Sequence, residues 1–268
     1  MTVPKEKSGK VIKKIKFNKK AIAIIFSDGQ RIDISEEAYT SNYLYVGKEL
    51  KQSDIDKLNR ITSVKKLTEY ALSLLSKKHY TEWAMREKLY AREGTKEDVN
   101  YIIKKLKELD LINDNEYIED YLGYAEEKNI GKNKIKQELL KRGIFAEQID
   151  KICFNSNLEK KKAIALIPML EKKYERYSYQ QKKQHIYQAL ISRGFDIDTA
   201  KEALNHISKI DEKSERNKLK ADYKKCLERY KRKYEGRELK EKVMRHLISK
   251  GYKYNEVNQL LGGMDDDF

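Results

Sequence analysis

At 268 residues the chain can build one large or two medium domains, but with 38% charged and 39% hydrophobic residues it has too little apolar material for one thick core. With 12 Gly and 2 Pro it is a poor candidate for a loop-rich all-β protein and a good one for long helices that each bury a single stripe. The 58 Lys and Arg against 43 Asp and Glu leave a net charge of +15. Such an excess either attracts polyanions, nucleic acid first among them, or coats a solvated surface.

That charge is unevenly placed. Residues 1–62 carry 13 basic and 8 acidic side chains, residues 63–155 carry 18 and 17, and residues 156–256 carry 27 and 15. The last twelve residues hold three acids and no base, so a polyanion is expected to feel the C-terminal third most strongly. Cys153 and Cys226 stand alone in segments that read as helical, which suits a reduced cytosolic protein better than a disulfide framework. No apolar run approaches the roughly 20 residues needed to cross a bilayer. The opening Met1-Thr2-Val3-Pro4-Lys5 lacks the apolar core of a secretory signal. A cytoplasmic protein with no membrane partner is expected.

In chain order, Val11-Ile12, Ile15 and Phe17, then Ala21 to Phe26, then Ile32 and Ile34 read as three short strands. Asn18-Lys19-Lys20 can turn the first pair, and Asp28-Gly29 is a strong hairpin signal for the second. Residues 36–46 and 53–61 read as short helices that cover one face of this small sheet, with Ser53 as an N-cap. From about residue 63 the period changes to 3.6. Leu67, Ala71, Leu74 and Leu75 share one face, a second helix starts near Thr81, and Val99, Ile102, Ile103, Leu106 and Leu109 form a third stripe.

A phrase then recurs: a helix ending in Leu, a basic residue, Gly, and a new helix. It reads Leu140-Lys141-Arg142-Gly143-Ile144, then Ile191-Ser192-Arg193-Gly194-Phe195, then Ile248-Ser249-Lys250-Gly251-Tyr252. An earlier copy, Tyr90-Ala91-Arg92-Glu93-Gly94, has one extra residue, and the four glycines are 49, 51 and 57 apart. Glycine stops a helix cheaply in the left-handed conformation, and the adjacent base complements the helix dipole. Four copies at a near-constant period mark one supersecondary unit per copy. Leading helices complete each unit: Asn113 caps one with Glu116 at the capping-box position, and Pro168 should kink the next. The expected fold is mainly α, with tandem three-helix repeats forming an elongated curved array behind a small strand and helix extension. Its segments are 1–62 for the extension, 63–112, 113–155, 156–210 and 211–262 for repeats one to four, and 263–268 for an acidic tail.

No catalytic constellation stands out. His79, His185, His206 and His246 lack the spacing or cysteine company of a zinc site. Lys132 after Gly131 ends like a phosphate loop, but the earlier glycine and the following hydroxyl are missing. No cofactor, metal or enzymatic activity is expected. Trp83 reads as a core or rim anchor. The 19 Tyr against 6 Phe, interleaved with bases as in Tyr174 to Tyr177 and Tyr230 to Tyr234, suit base stacking and amphipathic packing equally.

One set of stretches runs from Ala71 to Ser76, through Tyr80-Thr81-Glu82 and Met85 to Leu89, then Leu111 to Tyr117, Gly131, Lys134-Ile135, Glu138-Leu139 and Lys141 to Ile144. Together these resemble RecX, the bacterial regulator of the RecA recombinase. The N-terminal strands and Gly47-Lys48-Glu49-Leu50 are similar to the extension found in Gram-positive members. The resemblance implies a monomeric, non-enzymatic modulator that lies along the groove of the RecA–DNA filament, meeting single- or double-stranded DNA weakly or through RecA. It would restrain filament growth, ATP hydrolysis and strand exchange in recombinational repair. A nucleic-acid-binding repeat protein acting alone is the rival reading.

Candidate filament or DNA contacts fall in three sets. Arg86, Lys88, Lys132 and Lys134 lie in or beside the matching motifs, and Lys141, Arg142, Arg193 and Lys250 recur at the repeat junctions. Lys220, Lys224, Lys225, Arg229, Lys231, Arg232 and Lys233 form a dense cluster in repeat four. Much of the junction charge is expected to serve helix dipoles, whereas the cluster exceeds what capping needs.

Overall fold

The computed structural model describes residues 9–19 and 21–262. The opening Met1–Lys5, Lys20 of the first turn and the acidic tail 263–268 lie outside the described residues. The chain divides into two compact units, one running to Ile118 with Arg142–Ile144, the other holding Glu119–Lys141 and everything from Phe145.

In the first unit, β1 (Lys10–Phe17), β2 (Ile22–Phe26) and β3 (Arg31–Ile34) form the expected meander. Asp28-Gly29 makes the second hairpin as its chemistry requires: Gly29 has φ +85°, and Asp28 Oδ1 accepts from the Gln30 amide at 2.9 Å. A fourth strand escaped the sequence reading. After α1 (Glu36–Ser41), Gly47 turns at φ +95° and sends β4 (Glu49–Leu50) alongside β1, giving the order β3-β2-β1-β4. Two residues are too few to show a period, so only the pairing of Lys10 with Leu50 and Val11 with Glu49 reveals it.

The helices covering this sheet differ from expectation. α1 stops at Ser41 rather than 46, because Asn42 turns its side chain back to the Ala38 carbonyl at 2.8 Å. α2 (Gln52–Leu75) is capped at Lys51 rather than Ser53, since Asp54 reaches back to accept from the Lys51 amide at 3.1 Å. It then runs unbroken through 62, where the sheet-covering helix and the leading helix of repeat one were expected to part. No Gly or Pro interrupts it, and Thr62 and Thr68 satisfy their hydroxyls on the carbonyls four residues back. One helix therefore serves two cores. Ile55 and Leu58 pack with Ile12, Ile24, Phe26 and Ile34 under the sheet, and Leu67 and Ala71 pack with Met85, Leu89, Val99 and Ile103. The latter come from α3 (Glu82–Tyr90) and α4 (Lys96–Glu108), each capped by a threonine, Thr81 and Thr95.

The helices continue as α5 (Asp114–Glu127), α6 (Lys132–Lys141) and α7 (Ala146–Asp150). Asn113 caps α5, its Oδ1 accepting from the Asn115 and Glu116 amides. Cys153 then lies exposed in an irregular link rather than in a helix. Pro168 does more than kink the next leading helix: it splits it into α8 (Ser156–Ala165) and α9 (Ile167–Lys173), which meet at Leu166. With α10 (Tyr179–Ser192) and α11 (Ile197–Leu204) these bury Ala163, Leu170, Ile186, Leu190, Phe195 and Ala200 together. The last group is α12 (Glu212–Tyr230), α13 (Gly236–Ser249) and α14 (Tyr254–Gly262), around Leu219, Cys226, Val243, Leu247 and Val257.

Candidate macromolecule-binding surface

The recurring glycines hold more than a helix stop. Gly143, Gly194 and Gly251 adopt φ of +78°, +91° and +84°. A Cβ there would lie 2.2 Å from the Trp83 Cβ, 2.4 Å from the Lys134 amide nitrogen, and 2.8 Å from the Gln180 Cβ. All three neighbours lie in the first turn of the middle helix of the preceding repeat. Glycine is thus required twice, for conformation and for contact. The first copy differs: Glu93 takes the left-handed position at φ +61°, and Gly94 follows it, donating to the Leu89 carbonyl at 3.1 Å. The extra residue in that phrase shifts glycine by one place, where it packs against Val99 and Leu67.

Around Gly143, Gly194 and Gly251 the same polar contacts recur. The residue before the middle helix donates to the carbonyl of the base that precedes glycine. Thr81 Oγ1 reaches the Arg142 carbonyl at 2.6 Å, the Gly131 amide reaches Arg193 at 2.8 Å, and Ser178 Oγ reaches Lys250. The first amide of that helix then donates to a carboxylate from the following leading helix. Glu82 N meets Asp114 Oδ1 at 2.8 Å, Lys132 N meets Glu159 Oε2 at 2.9 Å, and Tyr179 N meets Glu215 Oε1 at 2.8 Å. A carboxylate is favoured there by the unpaired amides and the positive end of the dipole. Thr81 and Ser178 are each 1% exposed and Glu159 4%, so these groups belong to the junctions and not to the solvent-facing surface. Burial holds the Asp114 carboxyl above the ordinary range despite its bond to the Glu82 amide.

The junction bases are consequently occupied. Arg142 donates to the Tyr117 hydroxyl at 2.8 Å, Arg193 to the Lys128 carbonyl at 3.3 Å, and Lys250 pairs with Asp222 at 2.8 Å. Lys132 pairs with Asp196 at 2.7 Å, a bond that holds the Asp196 carboxyl down at about 2. Arg86 is tied to Glu82 and Asn100, while Lys141 pairs loosely with Glu138. Lys134 contributes its backbone and Cβ to the seat of Gly194, and Lys88 is exposed on α3. Trp83 is a rim anchor, 47% exposed and packed by its base on Gly143.

Lys220, Lys224, Lys225 and Arg229 on α12, with Lys231, Arg232 and Lys233 in the turn beyond it, are all exposed. None of the seven carries an ion pair among the described residues. The neighbouring tyrosines pack inward: Tyr230 and Tyr234 lie against the last core with rings 6.1 Å apart, and Tyr230 meets His246 edge-on. Tyr174 stacks with His185 at 5.2 Å, and Tyr177 meets the same imidazole at a tilt, 4.3 Å away. Of the two readings of the tyrosines, packing accounts for these four. The sequence reading missed the carboxylates Asp114, Glu159 and Glu215. A faint signal existed, since Glu159 and Glu215 stand 35 and 36 residues ahead of their glycines, but acids are common throughout the chain. Among the described residues no group of His, Cys, Asp or Glu is placed to hold a metal ion, and no helix is long and apolar enough to cross a membrane.

A small sheet followed by three-helix repeats, joined glycine to helix start, defines a tandem helical-repeat protein. Comparison with known proteins gives that class a family. Residues 165–204 match the family model described as RecX, third three-helix domain. A regulatory protein RecX from Lactococcus lactis subsp. lactis strain IL1403 is 30% identical over 243 residues, spanning 88% of this chain and 90% of that protein. Another, from Listeria innocua serovar 6a, is 26% identical over 248 residues, spanning 91% and 92%. A crystal structure of a regulatory protein RecX superposes with a TM-score of 0.56 at 25% identity, covering 73% of this chain and 99% of that one. The chain belongs to the RecX family of regulatory proteins.

Proposed function

We propose that the protein is a non-enzymatic regulator of the RecA recombinase, acting as a cytoplasmic monomer on the RecA–DNA filament. It lies in the filament groove, meets DNA weakly or through RecA, and restrains ATP hydrolysis, filament extension and strand exchange. Family membership supports the partner. The observation that carries the mode of contact is the run of seven exposed bases from Lys220 to Lys233 that have no ion pair among the described residues, set against junction bases that are already engaged. Unpaired cations cost nothing to desolvate from an existing partner, so they release counterions from a phosphate backbone at full effect. Several modest contacts on one chain then add through effective concentration.

The test is RecA ATPase on single-stranded DNA with substoichiometric protein, alongside affinity for the same DNA with and without RecA and nucleotide. The expected result is slowed hydrolysis and tighter binding when RecA is present. Affinity for DNA that RecA leaves unchanged would favour the solitary DNA binder instead.

A further inference from the structure

A cavity of about 770 Å³ opens beside the end of the N-terminal sheet, bounded by β1, α1 and α2. Its volume falls in the range of small-ligand sites. At its mouth the Phe17 ring is 68% exposed, yet it is held in place by Tyr39, edge-on at 5.3 Å. Burial does not explain that ring: most of its apolar surface faces water while the neighbouring Ile22 and Ile34 are buried. Three lysines border the same cavity, Lys19 after β1 and Lys65 and Lys66 on α2, and none carries an ion pair among the described residues. Ser35 and Thr62 also line it and are 8% and 4% exposed. The Thr62 hydroxyl is committed to the Leu58 carbonyl and the Ser35 amide, whereas the Ser35 hydroxyl accepts from Ala38 and keeps its own proton unassigned among the described residues.

We propose that this cavity seats one unpaired nucleotide of single-stranded DNA, with the base on Phe17 and the flanking phosphates on Lys19, Lys65 and Lys66. An exposed aromatic face beside unpaired lysines is the chemistry that holds single strands without reading sequence. The lysines approach from a strand end and from a helix, which suits a chain with a phosphate on each side of the base. A free triphosphate would call for clustered backbone amides of a glycine-rich loop, and these lining residues include none. Glu36 and Glu69 also line the cavity and offer acceptors to the amino or imino edge of a base. The site lies outside the repeat-four cluster and does not depend on the RecA reading.

The experiment uses the full-length protein without RecA and measures anisotropy of a short fluorescent oligothymidylate and of a duplex of equal length. Phe17→Ala should weaken single-strand binding roughly 5- to 150-fold, Phe17→Tyr should restore it, and duplex binding should change little. The pair Lys65→Gln and Lys66→Gln should flatten the single-strand salt slope by up to about 1.4 in log–log units. Circular dichroism checks that each variant keeps its helix content. Unchanged single-strand affinity in both sets of variants overturns the proposal. So does an equal loss on duplex, or equal displacement of the oligonucleotide by polyglutamate, since either would mean bulk charge rather than a nucleotide seat.

Discussion

The junctions between repeats and the outer surface of the last repeat use the same residue types for opposite ends. At the junctions, Arg142, Arg193 and Lys250 each lend a carbonyl to the preceding repeat and have their own side chains engaged. In repeat four, seven bases between Lys220 and Lys233 stand exposed without an ion pair among the described residues. A basic residue beside a glycine in such a chain is therefore evidence for assembly of the fold. The bases of the Lys220 to Lys233 run, away from that glycine, have no such partner among the described residues.

The hardest blow to the junction side of that contrast should be Glu159→Ala. It removes the counter-charge of the Lys162 ammonium, 7% exposed and paired with Glu159, leaving only its bond to the neutral Ile130 carbonyl, and bares the Lys132 amide. Breaking a buried pair in this way costs about 3–5 kcal/mol. Urea unfolding measures it, and a loss below about 1 kcal/mol would mean the junction carboxylates contribute little.

Gly194→Ala should come next, at about 2–4 kcal/mol, combining a left-handed residue with a Cβ 2.4 Å from the Lys134 nitrogen. Gly29→Ala is the sharpening control. It shares the positive φ, at +85°, but has nothing within 4 Å, so only the backbone cost of about 1–2 kcal/mol should remain. Equal losses in the two variants would show that conformation, not contact, explains the junction glycine.

Acid titration gives a smaller effect with a defined sign. Asp196 caps α11 and is lowered from 3.8 to about 2, first by its bond from Lys132. A depressed folded value means its stabilisation is full above 3.8 and is lost as pH falls toward about 2. Asp114 has the opposite sign: burial raises it, so its linked stability is present at low pH and fades as pH rises through the raised folded value. Asp196→Asn keeps a capping oxygen and removes the charge, so unfolding midpoints should lose part of their acid slope, with a cost near neutrality of about 0.5–1 kcal/mol. An unaltered slope would place the acid sensitivity elsewhere.

The smallest change in stability is expected from replacing Lys224, Lys225, Arg229 and Lys233 together by Gln, within about 0.5 kcal/mol. Binding to the DNA-bound filament should nevertheless weaken, and its log–log salt slope should flatten by up to about 3. Wild-type binding with an unchanged slope would make the cluster a solvated face and return the contact surface to the earlier repeats.

The amino-acid sequence by itself determined the parts of this protein that depend on neighbours along the chain. The 3.6-residue stripes, the Asp28-Gly29 hairpin, the Asn113 cap and the disruption at Pro168 follow from local backbone preference and are found in place, except that Leu109, expected on the third stripe, caps α4 and is 67% exposed. The recurring glycines gave away the repeat for the same reason, since a left-handed helix stop is written into one residue. Local reasoning failed where α2 runs on past 62, because a helix ends only when something stops it and nothing there does. It failed again at β4, where two residues become a strand only by pairing with β1. The division of the basic residues into engaged and free was also beyond it. The Arg142 guanidinium finds Tyr117 across 25 residues of chain, Arg193 finds the Lys128 carbonyl across 65, and the Lys250 ammonium finds Asp222 across 28. Such partners are chosen by the packing of one helix start against the next, so lysines that look alike in the sequence differ in whether a carboxylate or carbonyl already lies within reach.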